Sequence, residues 1–102
     1  MRAVYNAIMA HLLDLGPVHE DAVGVGVFPK RDHKLAEVRP RSRDVSLALY
    51  LPRRVNHPRI SRVLGNSASR VVHLLLLLLR EADDVDEQVR DWLTEAFLRA
   101  SV

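Results

Sequence analysis

The chain has 102 residues and no cysteine, so it is long enough for one domain with one core but cannot form disulfides or thiolate metal sites. Its formal net charge is only +2, yet residues 30–62 carry ten Lys or Arg and three acids, whereas residues 81–102 carry seven acids and two Arg. The two regions could face different partners, pair with each other across the fold or a dimer, or simply face solvent.

The first predicted element is an amphipathic helix near the N-terminus. Apolar side chains recur at helical spacing from Val4 to Leu15, and Gly16 with Pro17 ends the pattern. The same segment lacks the small-residue cleavage site of a signal peptide. We therefore expect residues 1–102 to form a single domain in the cytoplasm.

Alternating apolar residues predict three strands in the middle of the chain. The first contains the valines at 23, 25 and 27 and ends at Pro29, a shorter one covers Lys34 to Arg39, and the third runs from Val45 to Leu51. The glycines at 24 and 26 alternate within the first strand instead of preceding a helix, so they indicate close packing and not a phosphate-binding loop. Short turns between these strands predict an antiparallel meander in which each strand buries one face.

Two further elements are predicted before the C-terminal helix. Pro58 to Leu64 has the pattern of a short helical turn, because proline is favoured in the first turn of a helix. The apolar run from Val71 to Leu79, interrupted by His73, is too short to span a bilayer, and it begins with β-branched residues after a turn-forming segment. It predicts an interior strand covered on both faces, and an uncovered face would instead be an association site.

The last element is the clearest helix, expected from about Val85 to Arg99. Asp84 precedes Glu87 by three residues, as in a capping box, and apolar residues including Trp92 recur at three- and four-residue spacing. We interpret Trp92 as a core residue. The fold class predicted is α+β, with an antiparallel sheet of about four strands (the three-strand meander and the Leu-rich interior strand) and the N- and C-terminal helices packed on it.

The sequence contains no recognisable catalytic or metal-binding motif. Its five histidines lack the spacing typical of zinc ligands, and its serines lack a nucleophile-elbow context. His19 stands beside Glu20 and Asp21, but adjacent residues rarely converge on one site. We therefore predict no catalytic residue, no metal and no cofactor.

The segment from Leu51 to Val63 is the most suggestive of a binding site. Arg53 and Arg54 follow the end of a strand, and Arg59 and Arg62 are three residues apart. Guanidinium groups bind carboxylates and phosphates bidentately, so these arginines could hold an anion. Alternatively, they pair with the acidic C-terminal helix or lie in solvent.

Five segments together resemble the family called domain of unknown function 5655: VYNAIMAHLLDLGPV, LAEVRPR, LPRRVNHPRI, RVVHLL and DDVDEQVRDWLTEAF. The resemblance covers about Val4 to Leu98. It implies a compact α+β domain, found as a small bacterial protein or as the tail of longer ones, and it implies no activity. The leucine run has less polar alternation than the family implies. The positions that match the family are Gly16, Pro17, Arg39, Pro40, Pro52, Pro58, Arg59, His73, Asp86, Trp92 and Leu93.

Two functional hypotheses follow, with an enzyme of unknown reaction as a third. The favoured one is a non-enzymatic binding module that recognises an anionic small molecule or an acidic protein partner. The alternative is nucleic-acid binding through the basic middle. The evidence against it is that only Phe28 and Tyr50 lie near the basic residues, which is a poor platform for base stacking. We also expect no membrane association and consider a homodimer formed through the leucine strand or its helix cover. The candidate binding residues are Arg39, Arg53, Arg54, Arg59, Arg62, His57 and His73.

Overall fold

The computed structural model describes residues 2–53, 55–65 and 73–100, with the backbone alone described for residues 64, 65 and 73–76. The described part of the chain is an α+β domain with six strands, two α-helices and one short 3₁₀ helix. In chain order these are α1 (Arg2–Leu15), β1 (His19–Val23), β2 (Gly26–Lys30), β3 (Ala36–Pro40), β4 (Val45–Leu51), β5 (Ile60–Gly65), β6 (His73–Leu79), the 3₁₀ helix (Ala82–Asp84) and α2 (Glu87–Arg99).

The strands form one antiparallel sheet in the order β1-β2-β3-β4-β6-β5. The prediction that the leucine run is an interior strand is confirmed, since β6 lies between β4 and β5 and pairs with β4 along its whole length, from His73 opposite Leu51 to Leu79 opposite Val45. The sheet has six described strands where about four were predicted.

One extra strand arises where the valines at 23, 25 and 27 predicted a single strand. Val23 pairs with Gly26, so Gly24 and Val25 form the turn of a β1–β2 hairpin. The alternating pattern crosses this turn without interruption because Val25 is an exposed turn residue. All five residues of β1 are exposed, so the prediction of one buried face is also wrong for this strand. It is wrong for β4 as well, because six of its seven residues are buried.

The second extra strand is β5, which replaces the helical turn predicted from Pro58 to Leu64. A short turn at residues 58 and 59 is present, but the chain then extends and Ile60 pairs with Leu77 of β6. A register shift follows between Ile60 and Arg62. Tertiary pairing with the leucine strand therefore overrides the local helical signal at Pro58.

The hydrophobic core lies between the two helices and one face of the sheet. The helical stripe predicted near the N-terminus is confirmed except at its end, where Leu13 and Leu15 are 54% and 37% exposed. Trp92 is a core residue, as predicted, and is 2% exposed. Strands β3, β4 and β6 contribute alternate residues to this core, among them Val38, Leu47 and Leu77.

Helix α2 begins at Glu87, two residues later than predicted, and its cap is Asp86. The Asp86 carboxylate accepts a hydrogen bond from the backbone N–H of Val89 at 3.1 Å. Asp84, the predicted cap, instead accepts hydrogen bonds from the backbone N–H groups of Arg80 and Glu81 and so caps the N-terminal end of the 3₁₀ helix. Both carboxylates therefore satisfy free N–H groups, but on successive turns.

The leucine strand is not covered on both faces at residues 77–79, the part whose side chains the structure describes. Leu77 and Leu79 are buried against the helices, whereas Leu78 between them is 40% exposed. The described helices pack on one side of the sheet only, because both contribute to the same core cluster. The prediction of cover on both faces is therefore wrong at Leu78.

Candidate functional site

The side of the sheet opposite the helices carries a cluster of charged and aromatic residues. Residues directly opposite each other in an antiparallel pair share a face, and Val38, Leu47 and Leu77 define the face that packs on the helices. The alternate residues point the other way. We call this the open sheet face, and its described side chains in β2 to β6 are Phe28, Lys30, Glu37, Arg39, Ser46, Ala48, Tyr50, Leu78 and Arg62. No described helix lies over it.

Glu37 is the centre of this cluster and is 8% exposed. Its carboxylate accepts a hydrogen bond from Arg39 Nη2 at 2.6 Å and another from the Tyr50 hydroxyl. Lys34 Nζ lies 3.5 Å from the same carboxylate. A buried charge is costly unless it is paired and hydrogen-bonded, and here three side chains provide that compensation.

These contacts shift the pKa values of both hydrogen-bonded partners. Burial alone would raise the pKa of Glu37, but the hydrogen bonds from Tyr50 and Arg39 and the charges of Lys34 and Arg39 outweigh burial, so the pKa is lowered. The pKa of Tyr50 is raised by burial, by its hydrogen bond to Glu37 and by the negative charge of Glu37. At neutral pH the pair is therefore an ionised carboxylate and a neutral phenol.

Two aromatic rings on the open sheet face are in contact with cations. Lys34 Nζ lies 4.6 Å from the centroid of the Phe28 ring and 5.7 Å from that of Tyr50, and the Arg39 guanidinium lies 5.1 Å from the Phe28 centroid. Such cation–π contacts are attractive within about 6 Å. Arg99 of α2 completes the arrangement, because its guanidinium lies 5.8 Å from the Tyr50 centroid and donates to the backbone oxygens of Tyr50 and Lys34.

A further cation lies across the sheet from this cluster. The register places Arg62 of β5 on the open sheet face, in the same row as Ala48 and Glu37. Adjacent strands are about 4.8 Å apart, so Arg62 is roughly 14 Å from Glu37. Arg62 is exposed and makes no hydrogen bond or ion pair with the described residues. The small residues Ser46 and Ala48 lie between the two charged sides.

The seven candidate residues from the sequence fall into separate places. Arg39 and Arg62 lie on the open sheet face, whereas Arg53, Arg59 and His57 lie against α2. Arg54 is outside the described residues, as is the side chain of His73, whose backbone belongs to β6. The predicted residues therefore do not form one site in the described part of the chain.

The arginines beside α2 are paired with its carboxylates. Arg53 binds Glu95 through two hydrogen bonds, from Nε at 3.0 Å and from Nη2 at 2.6 Å. Arg59 donates to the Asp86 carboxylate at 2.6 Å and to the backbone oxygen of Asp84 at 2.8 Å. The basic middle and the acidic helix therefore meet in the fold, and these two guanidinium groups are already engaged.

His57 makes contacts that stabilise the fold in the same region. Its Nδ1 accepts the backbone N–H of Arg59 at 3.1 Å, and its ring contacts the Trp92 ring edge-on with centroids 5.1 Å apart. These contacts fix the turn before β5 against α2. The pKa of the neighbouring Asp86 is lowered, since the N–H of Val89 and the Arg59 guanidinium outweigh the opposing effect of burial.

Sequence reasoning missed Lys34, Glu37, Tyr50 and Phe28 as a group. The available signal was the two-residue spacing of Glu37 and Arg39 in a strand, which places both on one face opposite the core residue Val38. The predicted meander implies that β3 pairs with β4, but the register that brings Tyr50 to Glu37 could not be found from spacing alone.

Other kinds of site are not found in the described ranges. Their His, Asp and Glu side chains form no group of three that could hold a metal ion. Neither helix described here combines the length and apolarity needed to cross a bilayer.

Comparison with known families identifies the chain. A family model described as "Domain of unknown function (DUF5655)" matches residues 1–99. The chain belongs to the DUF5655 family. This confirms the resemblance seen in the sequence, and for this DUF5655 chain the α+β fold is as the resemblance implied. No match was found among curated proteins or solved structures.

Proposed function

We propose that this DUF5655 chain is a non-enzymatic interaction module that binds an acidic segment of a partner protein through the open sheet face. The observation that supports the proposal is the distribution of charge on that face. Lys34, Arg39 and Arg62 lie on it, and the one carboxylate among its members in β2 to β6, Glu37, is already paired. Asp21 of β1, which lies opposite Phe28 and so on the same face, is paired with Lys30 at 3.6 Å. Both described carboxylates of the face therefore have cationic partners, and the unpaired charge that the face offers is positive.

The cations remain accessible although two of them contact Glu37. The side chains of Lys34 and Arg39 are 42% and 43% exposed, while that of Glu37 is only 11% exposed. A guanidinium carries several N–H donors and Arg39 uses one nitrogen for Glu37, so other donors are free to bind a partner carboxylate. Glu37 and Tyr50 hold these cations in position before a partner arrives.

The spacing of the cations favours an extended chain over a small anion. Arg62 lies roughly 14 Å across the sheet from Glu37, which is farther than one carboxylate or phosphate can bridge. An acidic peptide that crosses the strands reaches both sides. Leu78, exposed between them, offers apolar contact to the middle of such a segment.

The ring contacts favour a protein partner over nucleic acid. Bases bind open sheets by stacking on aromatic rings. Here Lys34 lies near both the Phe28 and Tyr50 rings, and Arg39 and Arg99 each approach one of them. A base would have to displace these cations from the rings, whereas a carboxylate can bind them where they are.

The test is fluorescence anisotropy of a labelled oligoglutamate peptide of about ten residues, long enough in extended form to cross the sheet. Binding is measured across a salt series for the wild-type protein and for the variants Lys34→Gln and Arg62→Gln. Arg43→Gln is the matched control, because it removes the same charge from the exposed β3–β4 turn. A labelled single-stranded oligonucleotide is titrated in parallel.

We expect peptide binding that weakens with salt and falls about tenfold in each face variant, as loss of a charge-assisted hydrogen bond predicts. Arg43→Gln should bind as the wild type does. Absence of peptide binding at low salt, or equal loss in Arg43→Gln, would contradict the proposal. Tighter binding of the oligonucleotide than of the peptide would support the nucleic-acid alternative instead.

A further inference from the structure

A separate pocket lies beside the β1–β2 hairpin. Its volume is about 830 Å³, and it is bounded by the hairpin, by the start of α1 and by the adjoining ends of β3 and β4. Pockets that bind small molecules commonly have volumes of several hundred cubic ångströms and mostly apolar walls. The size of this pocket is within that range.

The walls of the pocket are predominantly apolar. Tyr5 and five valines line it, and two of these, Val23 and Val25, are 41% and 56% exposed. Exposed apolar side chains that gather around a concavity indicate a binding surface, whereas single ones scattered over a protein do not. The apolar lining therefore predicts a ligand with an apolar body.

The charged groups that line the pocket are all positive. They are Arg2 and Arg39, and the pocket has no Asp or Glu among its lining residues. The Arg39 guanidinium is bonded to Glu37 on the open sheet face, which leaves Arg2 as the cation available to a ligand in the pocket. Arg2 is exposed, and neither it nor the Tyr5 hydroxyl makes a hydrogen bond or ion pair with the described residues. An unpaired cation at the edge of an apolar pocket without lining carboxylates is complementary to an anion with an apolar body.

We infer that this pocket binds a single-chain amphiphile that has a carboxylate head group and an apolar tail. The tail packs against the valines of the hairpin and of β3 and β4, and the carboxylate binds Arg2. The ligand and most of the residues differ from those of the open sheet face, and Arg39 alone belongs to both. The inference therefore does not depend on peptide binding.

The experiment is a titration of the ¹⁵N-labelled full chain with sodium decanoate, followed by two-dimensional NMR. Decyltrimethylammonium is the charge-reversed ligand with the same tail length. Two variants test the pocket: Arg2→Gln removes a cation, and Val25→Glu places a negative charge on an exposed turn residue of the wall. Arg43→Gln removes a cation from the β3–β4 turn, which is close to the pocket but is not among its lining residues.

We expect saturable shifts in residues 22–27 and around Tyr5 with decanoate, and binding at least about tenfold weaker with decyltrimethylammonium. Arg2→Gln and Val25→Glu should weaken decanoate binding about tenfold or more, and Arg43→Gln should not. Lys34→Gln, which alters the open sheet face alone, should also leave decanoate binding unchanged. Unperturbed spectra of the free variants show that each one is folded.

Three results would overturn the inference. The first is the absence of saturable shifts at these residues, and the second is equal binding of the cationic ligand. The third is binding to phosphatidylglycerol vesicles by co-sedimentation without binding to monomeric decanoate, since this would indicate a membrane surface as the ligand.

Discussion

The Tyr50 hydroxyl donates a hydrogen bond to the Glu37 carboxylate, which joins neighbouring strands β4 and β3 on the face of the sheet that the described helices leave uncovered. Glu37 is 8% exposed and carries its charge in the folded protein. The hydrogen bond therefore has two consequences, one for the stability of the sheet and one for its dependence on pH.

Removal of the hydroxyl by Tyr50→Phe should destabilise the fold. A hydrogen bond to a charged group contributes about 1.5–3 kcal/mol, and because Tyr50 is only partly buried we expect a loss of about 1–2 kcal/mol. Urea denaturation followed by circular dichroism measures the change. Tyr5→Phe is the control, since the Tyr5 hydroxyl makes no hydrogen bond with the described residues, and its effect should stay within about 0.5 kcal/mol. Equal losses in both variants would contradict this role of the hydroxyl.

The lowered pKa of Glu37 predicts a stability difference that depends on pH. Because the pKa of Glu37 is lower in the folded chain than its ordinary value of 4.5, the ionised carboxylate stabilises the fold above that pH, and this contribution is lost as the pH falls through the folded-state pKa. The free energy of unfolding of the wild type should therefore exceed that of Glu37→Gln at pH 7, and the gap should narrow below pH 4.5.

Urea titrations at several pH values measure this gap, and comparison within each pH cancels the effect of the other acidic groups. Glu20→Gln is the control, since Glu20 is exposed in β1 and makes no ion pair with the described residues. Its stability relative to the wild type should not change with pH. If the difference in free energy of unfolding between the wild type and Glu37→Gln stays constant on acidification, the ionisation of Glu37 does not contribute to stability as predicted.

The two glycines of the β1–β2 hairpin should respond differently to alanine. A Cβ atom on Gly26 would lie 2.0 Å from the Val38 backbone oxygen, so Gly26→Ala has to push the hairpin away from β3. We expect a loss of about 1–3 kcal/mol in urea denaturation, as for other overpacked sites. A Cβ atom on Gly24 meets nothing within 4 Å, so Gly24→Ala should change stability by less than about 0.5 kcal/mol. Similar losses of stability in the two variants would show that the hairpin does not pack closely against β3 at Gly26.

The elements that could be predicted from sequence are those in which local pattern and tertiary environment agree. Helix α2 buries one stripe of side chains, and Trp92 falls in the middle of it. Strand β6 could be predicted because its apolar run is bounded by charged residues and is too short for a membrane helix. In both cases the length and period of the apolar residues were enough.

The errors arise where the local pattern has two structural readings. Val23, Val25 and Val27 alternate as in a strand, but the turn is centred on Gly24 and Val25, and nothing in the spacing distinguishes a hairpin from one longer strand. Pro58 favours a helical turn locally, yet Ile60 pairs with β6, a partner that is more than ten residues away in sequence. Pairing partners of this kind are set by tertiary structure.

The candidate site was predictable in part for the same reason. Arg39 and Arg62 were identified from their charge, and their common face follows only from the sheet order. Arg53 and Arg59 looked equally available in the sequence, but the fold places both next to carboxylates of α2. Charge counts identify candidates, and the neighbours determine which of them stay free.

The position of β6 between β4 and β5 also fixes the order in which the domain can be completed during synthesis. Strand β4 ends at Leu51, but its second neighbour is not made until residues 73–79 have left the ribosome. Until then the inner edge of β4, with its row of buried leucines, has unpaired backbone groups, and such edges are sites of aggregation. A nascent chain that stalls between β4 and β6 is therefore the form of this protein that most needs a chaperone.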